Sequence, residues 1–358
     1  RYEERFLRFM KGITVKPDIA IRQAMKVLNK ASEKCLLIVD ENKKLLGSLT
    51  DGDLRRGILS GINFSENISE CYHKNTTTFT QGNYTQEDAT RVFLDKKLDL
   101  IPIIDKDGKV VDCLTWSNIN GAKQNKKALD DVSVVIMAGG RGTRMEPFTK
   151  VLPKPLVPIH EKTIIEHIIE RFTDMSCSDF HLTVNYKAKI LKAYFEELKH
   201  DYSVSFVDEN EPLGTAGSLQ YLKGKFDKPF FVTNCDIIIK ADYVNLYEFH
   251  QKGGYDITLV ASAKEYIIPY GTCELNGDGH LSHINEKPKY DFLINTGLYI
   301  LSPDVLKLIP ENKFYHITHL IEDAMNIGKK VGVFPIDDDA WIDIGQWAEF
   351  RKTIKKFY

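Results

Sequence analysis

Three glycines, an arginine and a lysine crowd one stretch of this chain: MAGGRGTRM at residues 137–145, then LPKPLVP at 152–158. Gly139, Gly140 and Gly142 follow an apolar run, 132–137, that reads as a buried strand. Without a Cβ at those positions, backbone N–H groups from Ala138 to Thr143 can approach oxyanions closely. Arg144 can fork across two phosphate oxygens. Lys154 stands between Pro153 and Pro155, whose fixed φ limits where its ammonium points. Together they form a cradle for a triphosphate. The pattern is neither GxGxxG nor GxxxxGK[ST], so neither of those phosphate-binding mechanisms transfers.

Carboxylates sit where a hard cation would be needed. Asp236 follows the apolar run FFVTNC, at the carboxyl edge of a strand, and Asp343 lies in WIDIG at 341–345. Two protein oxygens, with phosphate and water completing an octahedron, suit Mg2+. Asp is equally a favoured helix cap, and ADYVNLYEFH follows Asp236, so position alone leaves the two readings of Asp236 even. Glu209 opens ENEPLGTAGSL. Its carboxylate can accept from both N1–H and the N2 amine of guanine, whereas the acceptor–donor–acceptor edge of uracil or thymine would be repelled.

These groups need a scaffold. At 358 residues, the chain has length for two domains. Its net charge of −2 and scattered lysines give no basic field for nucleic acid. No apolar stretch approaches the roughly 18 residues that span a bilayer, and no signal peptide leads the chain. Small-molecule partners and the cytoplasm are expected, and six widely spaced cysteines read as reduced core residues.

The first third repeats itself. CLLIVDENKKLLGSLTDGDL, 35–54, is echoed 65 residues later by LIPIIDKDGKVVDCLTWSNI, 100–119. Each copy carries an amphipathic helix (19–29 and 86–96), a strand, a polar turn, a second strand and a helix start. A polar, lysine-rich linker at 120–131 separates this module, 1–119, from 132–358. There strands and helices alternate, which predicts an open α/β sheet covered on both faces.

GGxGTR followed ten positions beyond its arginine by the lysine of PKP resembles the signature of the sugar-1-phosphate nucleotidyltransferases. The resemblance implies a Rossmann-like mixed sheet and the transfer of a nucleoside monophosphate to a sugar-1-phosphate, releasing pyrophosphate. It makes Arg144, Lys154, Asp236 and Asp343 catalytic, the two aspartates holding Mg2+. Ala138, Gly139, Gly140, Gly142, Thr143, Glu209, Gly214 and Thr215 then bind the nucleotide. NEKP (Glu286, Lys287), PYGT (Tyr270, Gly271) and INTGLYI (Asn295, Gly297) occupy the places of the sugar-phosphate segments. VTNCD departs from the family's usual GD or SD in having Cys235 before the aspartate.

The internal repeat resembles a tandem pair of CBS motifs, α+β modules whose cleft can take an adenine nucleotide. Thr50 and Asp53 have the spacing used for phosphate and ribose. In the second copy Asn118 replaces that Asp, so one site is implied, and a platform for homo-oligomers is the competing reading. A CBS pair ahead of the transferase looks most like the guanylyltransferases of bacterial nonulosonate (legionaminic acid) synthesis, which implies GTP and glucosamine-1-phosphate as substrates. Mannose- or heptose-1-phosphate, a uridylyl or thymidylyl version, and an inert nucleotide sensor stay open.

Overall fold

The computed structural model describes residues 10, 12–31, 34–96, 98–115 and 129–345. Asn118, the helix start of the second copy and residues 120–128 of the expected linker lie outside the described residues. The chain forms two compact units. One holds the N-terminal third together with Ala263–Ile294, and the other holds the rest of the C-terminal region.

In the first unit β1 (Thr14–Val15), α1 (Ile21–Lys30), β2 (Cys35–Val39), β3 (Leu45–Thr50) and α2 (Asp51–Leu59) make one copy of the repeat. The second comprises β4 (Phe79–Thr80), α3 (Gln86–Lys96), β5 (Leu100–Ile104) and β6 (Val110–Thr115). Each copy forms a three-stranded sheet, β1-β2-β3 and β4-β5-β6. The 65-residue offset holds in the register: Cys35 pairs Thr50 as Leu100 pairs Thr115, and both ladders slip at the same step, Ile38/Val39 and Ile103/Ile104. The turns match too. Asp40 Oδ1 accepts from Asn42 and Lys44 N–H at 2.8 Å, and Asp105 Oδ1 accepts from Asp107 and Lys109 N–H at 2.9 and 2.8 Å. α1 buries Ile21, Ala24, Met25 and Leu28, the i, i+3, i+4, i+7 stripe of a helix lying on a sheet.

The second unit is built on a seven-stranded sheet whose order is β11 (Ser203–Asp208), β10 (Asp179–Val184), β7 (Ser133–Met137), β12 (Phe230–Asn234), β17 (Lys289–Leu301), β14 (Ile257–Ile267), β18 (Val331–Asp337). β7 (Ser133–Met137) is parallel to its neighbours β10 (Asp179–Val184) and β12 (Phe230–Asn234), and β10 to β11 (Ser203–Asp208). β17 (Lys289–Leu301) runs antiparallel to β12, so the sheet is mixed. A ribbon of β8 (Pro158–Ile159) and β9 (Lys162–Thr163) leads into α4 (Ile164–Thr173). α5 (Ala188–Glu197), β13 (Ile237–Ile239), α6 (Tyr243–Gly253), α7 (Ile317–Asn326) and β18 (Val331–Asp337) complete the main frame with β14 (Ile257–Ile267) and β19 (Trp341–Asp343).

Successive residues of a strand face opposite sides. Val134 and Ile136 of β7 join one apolar cluster with α4 and α6, while Val135 joins another with α7. β12 divides likewise, Phe231 to the first and Phe230 and Val232 to the second. Both faces are therefore covered. Phe172 of α4 meets Phe231 at 5.3 Å and Tyr243 at 4.7 Å between ring centroids, spacings typical of favourable aromatic pairs.

The cysteine expectation needs correcting. Cys273 is exposed and Cys71 half-buried, so of the six Cys35, Cys113, Cys177 and Cys235 are the core residues. Cys273 lies on β15 (Thr272–Leu275), which pairs only with β16 (Leu281–Asn285) and has little to bury it. Among the described residues no helix is long and apolar enough to cross a membrane.

Candidate active site

β7 and β12 are adjacent and parallel, so the chain leaves both at the same edge of the sheet. That edge is where open α/β sheets place ligands. Beyond β12 the chain passes Cys235 and Asp236 into β13, which pairs antiparallel with β19 and sets Ile237 opposite Asp343. Ile344 N–H donates to the Asp236 carbonyl at 2.8 Å and locks the crossing. The ribbon thus brings together two carboxylates far apart in sequence.

Gly345 marks the point where they meet. A Cβ there would stand 2.7 Å from Asp236 Oδ2, 2.9 Å from Asp343 Oδ1 and 3.1 Å from Lys154 Nζ. Real Cβ atoms do not approach that closely, so glycine at this position lets the two carboxylates and the ammonium close on one point. Lys154 is 6% exposed, and its ammonium forms an ion pair with Asp236. Removing either partner of a buried pair leaves an uncompensated charge, so the lysine is held in place at the carboxylates. Asp236 does not cap α6, because Asp242 does so by accepting from Val244 and Asn245 N–H at 3.1 and 3.2 Å. Asp343 does local work as well, since its Oδ1 accepts from Gly345 N–H at 2.8 Å.

Two hard oxygen donors converging on one point fit Mg2+, with phosphate and water completing the shell. Among the described residues no group of three or more His, Cys, Asp or Glu side chains could hold a metal ion. Any cation here would therefore draw most of its shell from substrate and water. Cys235 is not a competing ligand: burial, then the neighbouring Asp236 charge, pushes its thiol up to about 12 and keeps it neutral.

The glycine-rich loop follows β7. Ala138 N–H donates to the Thr183 carbonyl at 2.9 Å and so serves the sheet, while Gly140 faces open space. Gly142 has φ +66°, and a Cβ on it would stand 3.0 Å from Lys154 Cβ, so the loop can fold onto the lysine only through glycine. Thr143 and Arg144 form a short 3-10 turn with Met145, whose buried side chain pins the turn while both polar residues stay exposed. A Cβ on Gly139 would lie 2.7 Å from Glu209 Oε1, which puts that carboxylate against the loop. Burial raises the Glu209 carboxyl above its ordinary range, opposed by the N–H of Leu213. Gly214, at φ +81°, packs on the Tyr315 backbone, and Thr215 Oγ1 accepts from Ile317 N–H at 3.0 Å, tying this segment to the start of α7.

An open cavity of about 260 Å3 gathers Arg144, Thr215, Asn234, Asp236, Asn295, Gly297 and Asp343, with Thr318 and Trp341 also lining it. Six of those seven are expected from sequence. Asn234 is not, although it ends β12 beside Asp236, and its position at a strand's carboxyl end is the signal that marks it. A Cβ on Gly297 would collide with Asn234 Nδ2. Tyr270, Gly271, Glu286 and Lys287 fall within Ala263–Ile294 and belong to the first unit. There a Cβ on Gly271 would lie 2.9 Å from Glu286 Oε2, and Lys287 holds φ +49°. A non-glycine residue kept left-handed costs of order 1 kcal/mol, and such strain gathers at ligand-binding turns.

In the repeat, Thr50 and Asp53 are joined to each other. Thr50 caps α2, its N–H donates to Asp53 Oδ2 at 2.8 Å, and its Oγ1 accepts from Asp53 N–H at 3.3 Å. This is a capping box, a structural duty that accounts for both residue types at that spacing.

Comparison with known proteins agrees with this architecture. Residues 133–357 match the nucleotidyl transferase family and residues 9–60 the CBS domain. A mannose-1-phosphate guanyltransferase from Hypocrea jecorina is 37% identical over 60% of this chain and 61% of its own length. One from Aspergillus fumigatus is 36% identical over 61% of this chain and 62% of its length. The chain thus spans less than two thirds of these curated relatives. The crystal structure of HddC from Yersinia pseudotuberculosis superposes with a TM-score of 0.51 at 28% identity, covering 63% of this chain and all of that one.

Proposed function

We propose, from the premise that the chain belongs to the nucleotidyl transferase family, that it transfers the guanylyl group of GTP to a sugar-1-phosphate. An oxygen of the sugar phosphate attacks the α-phosphorus, a new P–O bond forms, and the α–β bridging bond breaks with its electron pair leaving on pyrophosphate. The nucleophile is already an anion, so no base is needed; alignment and charge compensation carry the reaction. The observation that carries this reading is the convergence of Lys154, Asp236 and Asp343 on the space beside Gly345.

Arg144 would fork across triphosphate oxygens from its exposed turn. Lys154, held by Asp236, would offset charge at the α-phosphate, and the loop at Gly139–Gly142 would admit the phosphates to the backbone. Asp236 and Asp343 would hold Mg2+, which supplies charge neutralisation for the leaving pyrophosphate. Glu209 would accept from guanine, which requires its anion. Asn234, Asn295 and Gly297 would line the acceptor side, and Glu286 and Lys287 would bind the sugar phosphate. Thr50 and Asp53 would meet an adenine nucleotide.

The acceptor proposed from the resemblance is glucosamine-1-phosphate, for nonulosonate synthesis. A second reading, mannose-1-phosphate, is favoured by the names of the relatives above. Pyrophosphate release with Mg2+, over five nucleoside triphosphates and glucosamine-, mannose-, glucose- and heptose-1-phosphates, tests both. GTP with a single sugar establishes base and acceptor together, and no turnover by folded protein with any pair refutes the transferase reading.

A further inference from the structure

Ala263 and Asp291 stand at the base of the Ala263–Ile294 excursion, one on β14 and the other on β17, and a single side chain from the repeat holds both. Arg22, in the first turn of α1, donates from Nη1 to the Ala263 carbonyl at 2.7 Å, and its Nη2 forms an ion pair with Asp291. The guanidinium also lies 5.2 Å from the Phe64 ring centroid, and Arg22 N–H donates to the Phe64 carbonyl at 3.0 Å. Side-chain exposure is only 16% for Arg22 and 18% for Asp291, so the pair is shielded in a way that surface ion pairs are not. Ala263 itself is buried in the apolar cluster of the repeat, alongside Ile21 and Leu28 of α1.

Above that base the excursion has little core of its own. Leu275, Leu281 and Ile284 are exposed, and among the described residues β15 and β16 form a two-stranded sheet of their own. Two-stranded ribbons are marginal in water, so their order must come from where they are anchored. We infer that Arg22 is a positioning residue: it clamps the two feet of the excursion and thereby orders the turn that carries Glu286 and Lys287. This rests on the reading that the turn binds the sugar phosphate, and it gives the CBS-like unit a direct hold on acceptor binding. A lysine cannot substitute, because one ammonium cannot span both anchors as a planar fork does.

The test uses the full chain with Arg22→Ala, Arg22→Lys, Asp291→Asn and Asp291→Glu, each checked for a cooperative melt. Hydrogen–deuterium exchange over residues 281–291 is expected to speed up in the first three and to stay near wild type in Asp291→Glu, which keeps the carboxylate. In steady state, KM for the sugar-1-phosphate is expected to rise about tenfold, the size of a lost charge-assisted pair, with KM for GTP within twofold. Unchanged exchange in Arg22→Ala overturns the clamp. Faster exchange with an unchanged sugar-phosphate KM overturns the positioning role. A wild type with no turnover would count against the transferase reading alone, while exchange still decides the clamp.

Discussion

Lys154, Asp236 and Asp343 come together from opposite ends of a long stretch of chain, whereas Thr50 and Asp53 are three residues apart and satisfy each other. The first arrangement needs β7, β12, the β13–β19 ribbon and Gly345 all in place. The second needs only the first turn of α2. There both polar groups serve the local backbone. The other is assembled by the whole fold, which sets a buried ammonium against two carboxylates that no local backbone duty brings together.

The sharpest way to break this contrast is Asp236→Asn, which removes a charge from the convergence point. Pyrophosphate release is expected to fall about a thousandfold, in line with losing a cation ligand or transition-state contact. A loss under fivefold would mean the carboxylates are structural. Gly345→Ala is expected next, at about a hundredfold, since an added methyl displaces Lys154 and both carboxylates by a fraction of an ångström. Its melting curve should stay near wild type, separating geometry from stability.

Glu209 sharpens the contrast by pH. Its burial raises the carboxyl, so the neutral acid is favoured in the fold, and that stabilisation is complete at low pH and lost as pH rises through the raised value. Guanine needs the anion, so KM for GTP should climb on acidification sooner than an ordinary carboxylate would make it. Glu209→Gln should flatten that climb and cut preference for GTP over UTP about tenfold. A preserved preference would remove Glu209 from base recognition. The smallest effect belongs to Thr50→Ala: about 1 kcal/mol of stability from the lost cap, read by denaturant melts, with the transfer rate unchanged. If adenine nucleotide stabilises wild type but not this variant, the capping pair is also a ligand site.

Much of this was legible from residue types. The offset between repeats carried through to register, slip and turn because the same residues meet the same local physics, Asp40 and Asp105 alike. The strand ends and the Gly–Arg–Lys loop were legible because strand alternation and glycine spacing are local signals. Gly345 was not marked, since its importance lies in three side chains that approach it from elsewhere. Nor did anything in the period-2 pattern of β14 and β17 tell that residues 263–294 would cluster with the repeat. Arg22 reaches Ala263 and Asp291 across more than two hundred residues, contacts with no trace in the neighbouring sequence. Cys273 misled for the same reason: residue type favours burial, and β15 offers no sheet to bury it.

The Arg22–Asp291 pair joins residues 269 positions apart. On a ribosome adding about 5–20 residues per second, the arginine emerges roughly 13–54 s before its partner exists. For that interval the first unit lacks the strand feet it will later grip. The clamp within the first unit can therefore close only after both strand feet have been synthesised.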